Sequence, residues 1–170
     1  MQKAQIGISI STMFLLNKNV NYLIIFSSIF LLDRISKILV INKTKEIQDN
    51  SIFISKFVNF DLVWNEGIAF GLLSFSDSSF YHVVTMVIGA VIIVIFIMFL
   101  KANKIEKIFY LIIFSGATSN FCDRVVFQSV PDFIDIHINN QHWFIFNVAD
   151  IFISISIVGL ILNEILIKNK

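Results

Sequence analysis

Four long apolar stretches dominate the hydrophobic pattern of the chain, and each is about as long as a helix that crosses a bilayer. They run over Tyr22–Ile41, Phe80–Leu100, Ile108–Phe127 and Phe144–Ile167. A helix needs about 20 apolar residues to cover 30 Å of hydrocarbon. Because a backbone in lipid must satisfy its own hydrogen bonds, the pattern predicts an all-α membrane protein with four transmembrane helices.

A second pattern, with a period of two, stands between the first and second stretches. Four β-prone residues alternate there with mostly polar ones: Val58, Phe60, Leu62 and Trp64. This alternation is typical of a half-buried strand. We therefore expect segment 42–79 to form a small β-rich cradle on the membrane surface. Residues 1–19 are expected to be an interfacial or disordered leader, and residues 1–170 a single domain.

Composition agrees with a membrane protein. The 170 residues are 56% hydrophobic and only 15% charged, whereas soluble domains are about 25% charged. The net charge of +1 gives no reason to expect a nucleic-acid partner. The single cysteine cannot form a disulfide within the chain.

The lysines predict the orientation, because cytoplasmic loops are enriched in Lys and Arg. Seven lysines lie on one side of the four stretches: Lys3, Lys18, Lys101, Lys104, Lys107, Lys168 and Lys170. Three lie on the other: Lys43, Lys45 and Lys56. Both termini are therefore expected in the cytoplasm. Segment 42–79 and a loop over 128–143 are then expected to face outward.

Two aspartates are the sharpest chemical candidates. Asp132 lies just past the outward end of the third stretch, and Asp150 lies near the outward start of the fourth. If these helices pack as antiparallel neighbours, both carboxyl groups can face one cavity. Two poorly solvated carboxyl groups share a proton, so one can activate water while the other polarises a carbonyl group. That is aspartic-peptidase chemistry, although spacing alone leaves open a purely structural role at the helix ends.

Other ionisable residues in the stretches are expected to support this site. A charge at the bilayer centre costs about 2.5–3.5 kcal/mol, so it needs a reason to be there. Asp33 and Lys37 stand four apart and can pair on one helix face. The neighbours Asp33–Arg34 and Asp123–Arg124 are expected to anchor polar networks between helices. Arg124 could also donate to a substrate carbonyl group.

Three asparagines offer donors and acceptors without a charge: Asn65, Asn120 and Asn147. They could connect helices or orient the aspartates. Asp132, Asp135 and His137 could be interpreted as metal ligands, but one histidine with no second motif is a weak signature. His82 and His142 are expected to be interfacial. We expect no metal and no cofactor.

Together these residues resemble the lipoprotein signal peptidase (signal peptidase II) family, over about residues 22–167. Three blocks carry the resemblance: Asn65–Gly71, Ser119–Arg124 with Val130–Phe133, and Phe146–Asp150. Asp33 and Lys37 match the family's Asp-x-x-x-Lys in the first stretch. Four positions depart from the usual small or polar residues: Ile68, Ser119, Ser129 and Ile151.

The resemblance implies an outward-facing site in the bacterial cytoplasmic (inner) membrane, with Asp132 and Asp150 as the catalytic pair. It implies a supporting role for Asp123. It implies that four further residues line the site: Asn65, Asn120, Arg124 and Asn147. The implied substrate is a prolipoprotein with a diacylglyceryl-modified cysteine, cut just before that cysteine. The implied partners are this substrate and membrane lipid, and the protein is expected to be a monomer.

Two other classes of protein stay open from the residues. A small transporter could use Asp33, Asp123 and Asp150 as a proton or cation relay. It would spread its acids through the membrane depth and would commonly show inverted repeats, whereas the best acids here gather at one face. A membrane chaperone or anchor without enzymatic activity would need no paired acids.

Overall fold

The computed structural model describes residues 10–67, 78–138 and 141–168. These residues form four helices and four strands. In chain order they are α1 (Ile10–Ile47), β1 (Ser51–Ser55), β2 (Val58–Asn65), α2 (Ser78–Lys101), α3 (Lys104–Phe127), β3 (Val130–Ile138), β4 (Gln141–Phe146) and α4 (Val148–Lys168).

Helix α3 lies at the centre of the helical part and packs against α1, α2 and α4. It approaches the start of α4 closely at Gly116, where an added Cβ would lie 3.0 Å from the carbonyl oxygen of Ala149 and from Ile153. A larger residue there would push the two helices apart. The glycine therefore brings the beginning of α4 against α3.

The helices expose apolar side chains and bury polar ones. Leu23 and Leu39 on α1 are each more than three-fifths exposed, whereas Asp33 and Lys37 on the same helix are buried. This is the reverse of a soluble helix, whose apolar stripe faces the core. Within the described residues, Tyr81–Lys101 and Val148–Ile167 are long and apolar enough to cross a membrane.

The four described strands form one antiparallel sheet in the order β1-β2-β3-β4. Strand β3 is central, and the rings of Phe60 on β2 and Phe133 on β3 meet edge to face with centroids 5.3 Å apart. The register shifts between Phe60 and Val63 on β2. The β3–β4 pairing has a second register shift, between Asp135 and His137.

Several predictions about the elements are confirmed and others are wrong. Each apolar stretch contains a helix, and the alternation at 58–65 is strand β2. The expected loop over 128–143 is wrong, because β3 and β4 occupy most of it. The fourth helix begins at Val148 and not at 144, because Gln141–Phe146 pairs with β3.

The leader and the cradle are only partly described. Residues 10–19 belong to helix α1, so a disordered leader is wrong for this part, and residues 1–9 lie outside the described residues. The cradle segment 42–79 contains β1 and β2 but also the end of α1 and the start of α2. Its part from 68 to 77, with Ile68 and Gly71, lies outside the described residues.

Candidate active site

Asp132 lies on the central strand β3 and is only 3% exposed. Its two carboxylate oxygens accept hydrogen bonds from two amide groups. The Asn65 Nδ2 group donates to Oδ2 at 2.9 Å, and the Asn147 Nδ2 group donates to Oδ1 at 2.6 Å. Strand pairing places Asn65 opposite Val130, two residues from Asp132. The sheet therefore positions both the acid and one of its amide partners.

Asp150 lies in the first turn of α4, three residues after Asn147. The backbone N–H of Asn147 donates to Asp150 Oδ2 at 3.1 Å, and the backbone N–H of Asp150 donates to Asn147 Oδ1 at 3.1 Å. This reciprocal pair is a capping box, which satisfies N–H groups that the helix itself leaves free. The start of the helix thus fixes the position of this carboxyl group.

Both aspartates line one cavity of about 190 Å³. Its other polar lining comes from the sequence-predicted set: Asn65, Asn120, Arg124 and Asn147. Asn147 hydrogen-bonds both acids, because its side-chain amide reaches Asp132 while its backbone N–H reaches Asp150. The structure therefore brings six of the predicted site residues together.

The electrostatic state of Asp132 follows from this position. Burial raises the pKa of Asp132 to about 6, and the nearby carboxyl group of Asp150 adds to the increase. The two asparagine hydrogen bonds oppose the increase, because they favour the ionised form. A carboxyl group with this pKa can exchange a proton near neutral pH.

Arg124 faces the cavity from helix α3. Its Nη2 group donates to the carbonyl oxygen of Gly67, and the hydroxyl group of Tyr81 donates to the carbonyl oxygen of Arg124 at 2.6 Å. Among the described residues, the buried Nη1 group has no hydrogen-bond partner. One donor of the guanidinium group is therefore available beside the acids. Tyr81 was not singled out from the sequence.

The other predicted residues form an ionic network between α1 and α3. The Lys37 Nζ group donates to Asp33 Oδ2 at 2.6 Å, to Asp123 Oδ2 at 2.8 Å and to Asn120 Oδ1 at 2.7 Å. Asp123 also accepts from Arg34. Two buried carboxylates thus meet two cations, and all three donors of the ammonium group are used. We call Asp33, Arg34, Lys37 and Asp123 the ionic network.

The predicted pairing within this set is confirmed in one part and refined in another. Asp33 and Lys37 pair on one helix face as expected. The two Asp-Arg neighbours do link helices, but through a pair between them, because Arg34 on α1 pairs with Asp123 on α3. Arg124 instead contacts a backbone carbonyl group. Adjacent residues on a helix do not face each other, so they seldom share one partner.

Ser119, where the family usually has glycine, contributes to the same network. Its hydroxyl group donates to Asp33 Oδ2 at 2.7 Å, and its side chain is fully buried. Asp33 Oδ1 accepts from the backbone N–H of Ala149 at 2.9 Å. The carboxylate of Asp33 therefore connects α1 both to α3 and to the start of α4. The departure adds a hydrogen bond and leaves the cavity lining unchanged.

Asn120 joins the ionic network to the cavity. Its Oδ1 atom accepts from Lys37, and its Nδ2 group donates to Asp150 Oδ1 at 2.9 Å. Asp33, Lys37 and Asp123 do not line the cavity. They lie behind it, and the side-chain amide of Asn120 links Lys37 to Asp150.

One carboxyl group from strand β3 and one from helix α4 line a single cavity beside helices with apolar outer faces, the arrangement of an aspartic-type membrane peptidase. Comparison with known proteins gives the family. The family model for signal peptidase (SPase) II matches residues 25–166. The chain therefore belongs to the signal peptidase II family, whose members are aspartic-type hydrolases.

Relatives and solved structures agree with this membership. The chain is 45% identical over 148 residues to the lipoprotein signal peptidase of Pelagibacter ubique, covering 87% of this chain and 89% of that protein. It is 38% identical over 130 residues to that of Thermodesulfovibrio yellowstonii, covering 76% and 84%. A bacterial membrane enzyme solved by the in meso method at 2.3 Å resolution superimposes with a TM-score of 0.67 and 27% identity, covering 85% of this chain and 87% of that one.

Proposed function

We propose that this protein removes signal peptides from prolipoproteins whose cysteine carries a diacylglyceryl group, cutting just before that cysteine. The observation that carries the proposal is the placement of Asp132 and Asp150 on one cavity. Each is held by amide groups, and among the described residues neither is hydrogen-bonded to a cation. The lipoprotein signal peptidases to which the chain is similar carry this activity in their names.

In the proposed reaction the two carboxyl groups share one proton and hold a water molecule between them. The ionised group takes a proton from the water as its oxygen bonds to the scissile carbonyl carbon. The protonated group gives its proton to the carbonyl oxygen, so a neutral gem-diol intermediate forms without an acyl-enzyme. Proton transfer to the amide nitrogen then breaks the C–N bond and releases the new amino group.

The asparagines and Arg124 have separate proposed roles around this step. Asn65 and Asn147 orient Asp132, and Asn120 orients Asp150. The free Nη1 group of Arg124 donates to a carbonyl group of the bound peptide. An arginine suits this role because its donors are held in a rigid fork.

The lipid part of the substrate has a candidate place beside Asp150. An apolar cavity of about 300 Å³ shares this residue with the polar one. Its apolar lining comes from β3, β4 and α4: Ile136, Trp143, Phe144, Phe146, Ile151 and Ile155. Trp143 and Phe144 are more than half exposed, so acyl chains could enter from the side. The peptide bond would then meet the acids where the two cavities join.

We propose that all four helices cross the bacterial cytoplasmic membrane with both termini inside. The exposed apolar faces of α1 and α3 support this, because their polar side chains point inward to the ionic network. The lysine distribution supports the orientation, which places the sheet and the acids outward. All site residues come from one chain, so a monomer is sufficient.

A cleavage assay on matched precursors tests the proposal. The purified protein in detergent is given one prolipoprotein in two forms, with and without the diacylglyceryl group. We expect cleavage of the lipidated form only, with the product beginning at the modified cysteine by mass spectrometry. Equal cleavage of both forms would refute the substrate class. No cleavage of either by a folded protein would refute the activity.

A further inference from the structure

A cluster of two histidines and one aspartate lies on the sheet, apart from the cavity. Asp135 and His137 lie two apart on β3, so their side chains share a face. His142 on β4 pairs directly with His137. One ligand atom from each residue lies within 4.8 Å of the others. Asp132 is an odd number of residues from Asp135, so it points to the opposite face of β3.

The hydrogen bonding inside this cluster is incomplete. His142 Nδ1 lies 2.7 Å from Asp135 Oδ2 in hydrogen-bonding geometry. His137 Nδ1 lies 3.2 Å from the same oxygen but is not aligned for a hydrogen bond. Among the described residues, Asp135 Oδ1 and His137 Nδ1 are buried and have no partner. A buried polar atom without a partner is unfavourable, so such atoms call for an explanation.

A third unpartnered atom belongs to the neighbouring strand. Asn59 on β2 pairs with Asp135 on β3, which places both side chains on one face of the sheet. Its buried Oδ1 atom also has no hydrogen-bond partner within the described part of the chain. Two neighbouring strands thus direct three unsatisfied oxygen or nitrogen atoms to one face of the sheet. A cation bound by Asp135 and His137 would satisfy the two atoms on β3 together.

We propose that Asp135, His137 and His142 bind a divalent transition-metal ion of the zinc class. Two imidazoles and one carboxylate are a common ligand set for Zn²⁺, with water or a further oxygen in the fourth position. Asn59 shares the face of the sheet with this cluster, because it pairs with Asp135. His142 has a side chain that is 54% exposed, so an ion can enter from solvent. Asp135 and His137 are buried and fix the geometry.

The ion would act as a cross-link between β3 and β4. Binding requires neutral imidazoles and an ionised carboxylate. It would hold together the two strands that carry Asp132 and lead into Asn147. The proposal departs from the sequence expectation of no metal. That expectation considered Asp135 and His137 without His142, which strand pairing brings to them.

Zinc retention by tag-free protein tests this proposal without an activity assay. The protein in detergent is incubated with zinc chloride, separated on a gel-filtration column in metal-free buffer and analysed by mass spectrometry for zinc. We expect about one ion per chain. His142→Ala should weaken binding at least about 100-fold. His82→Ala is the matched control, because His82 is the remaining histidine of the 3 in the chain.

Thermal unfolding provides the second measurement. Zinc should raise the melting temperature of the wild type and of His82→Ala by roughly 5 °C, and should leave His142→Ala unchanged. Because His142 is half exposed, its alanine variant is expected to fold even if His137→Ala does not. Zinc retained equally by His142→Ala, or not retained by the wild type, would overturn the proposal. Loss of zinc in His82→Ala would also contradict it.

Discussion

The ionic network and the cavity each contain two aspartates, but the partners of these aspartates differ. Asp33 and Asp123 are bound by the cations Lys37 and Arg34. Within the described part of the chain, the aspartates of the cavity accept hydrogen bonds from side-chain amide and backbone N–H groups and from no cation. A cation fixes the charge of a carboxylate, whereas an amide orients the group and lets its charge change.

This difference separates two kinds of acid in one small protein. The acids with cation partners hold α1, α3 and α4 together. Asp132, which amides hold, has a raised pKa and can exchange a proton near neutral pH. Type of partner, and not burial, separates the scaffold from the proposed chemistry, since Asp132 and Asp123 are both nearly inaccessible.

Removing a carboxyl group from the cavity should have the largest effect on turnover. Asp132→Asn and Asp150→Asn should each lower the cleavage rate of a lipidated precursor by at least about 1,000-fold, because each removes one partner of the proton exchange. At about pH 4, where Asp132 is protonated in the folded protein, thermal unfolding should change little in Asp132→Asn, since the amide keeps the shape of the neutral side chain. Substantial activity in either folded variant would contradict the pair.

Removing the lysine of the ionic network should instead have the largest effect on stability. Lys37→Met leaves the two carboxylates of the network with Arg34 alone, and breaking a buried ion pair costs about 3–5 kcal/mol. Thermal unfolding in the same detergent measures the loss. Lys43→Met is the matched control, because Lys43 forms an exposed ion pair with Glu46. The side chains of this pair are 50% and 70% exposed.

The control should lose less than about 1 kcal/mol, as exposed ion pairs generally do. Equal melting temperatures for Lys37→Met and the wild type would show that the network contributes nothing to stability. A structural role for the ionic network would then be contradicted.

Changing the pH should have a smaller effect, which acts on the free energy of unfolding through Asp132. The pKa of Asp132 is raised from 3.8 to about 6 in the folded protein. Its contribution to stability is therefore fully present below about pH 4 and is lost as the pH rises through 6. A shift of this size corresponds to roughly 3 kcal/mol. Between pH 4 and pH 7.5 the wild type should lose about that much more stability than Asp132→Asn.

Unfolding curves of both proteins across this range measure the difference. Asp132→Asn has no titrating group at the position, so its curve is the reference. Parallel curves would mean that Asp132 titrates alike in the folded and unfolded protein. A raised pKa of Asp132 in the folded protein would then be contradicted.

The helices were predictable because hydrocarbon imposes a length and a composition on them. Strand β2 was predictable from its alternation. Strand β3 carries the same signal, since Ile134, Ile136 and Ile138 alternate with Asp135 and His137. It was missed because the faces of the strand are the reverse of the usual arrangement. Its isoleucines at 136 and 138 are exposed, while the aspartate and histidine are buried. The usual rule places the apolar face inside.

The sequence predicted which residues belong to the candidate site better than it predicted which of them contact each other. The positions of Asp132, Asp150 and their asparagines followed from the sequence and the family resemblance. The partner of each carboxyl group did not, because Arg34 and Asp123 are 89 residues apart and meet only when α1 packs on α3. The start of α4 could have been found, since Asn147 and Asp150 have the spacing of a capping box. His142 could be placed only after the β3–β4 register was known.

The amide of Asn120 has a direction, and that direction is imposed from outside the cavity. Lysine can only donate, so the oxygen of Asn120 must face Lys37 and its NH₂ group must face Asp150. Two hydrogen bonds in series thus connect the ammonium group of Lys37 to the carboxyl group of Asp150. A single neutral side chain transmits the position of a lysine between α1 and α3 to an acid at the start of α4.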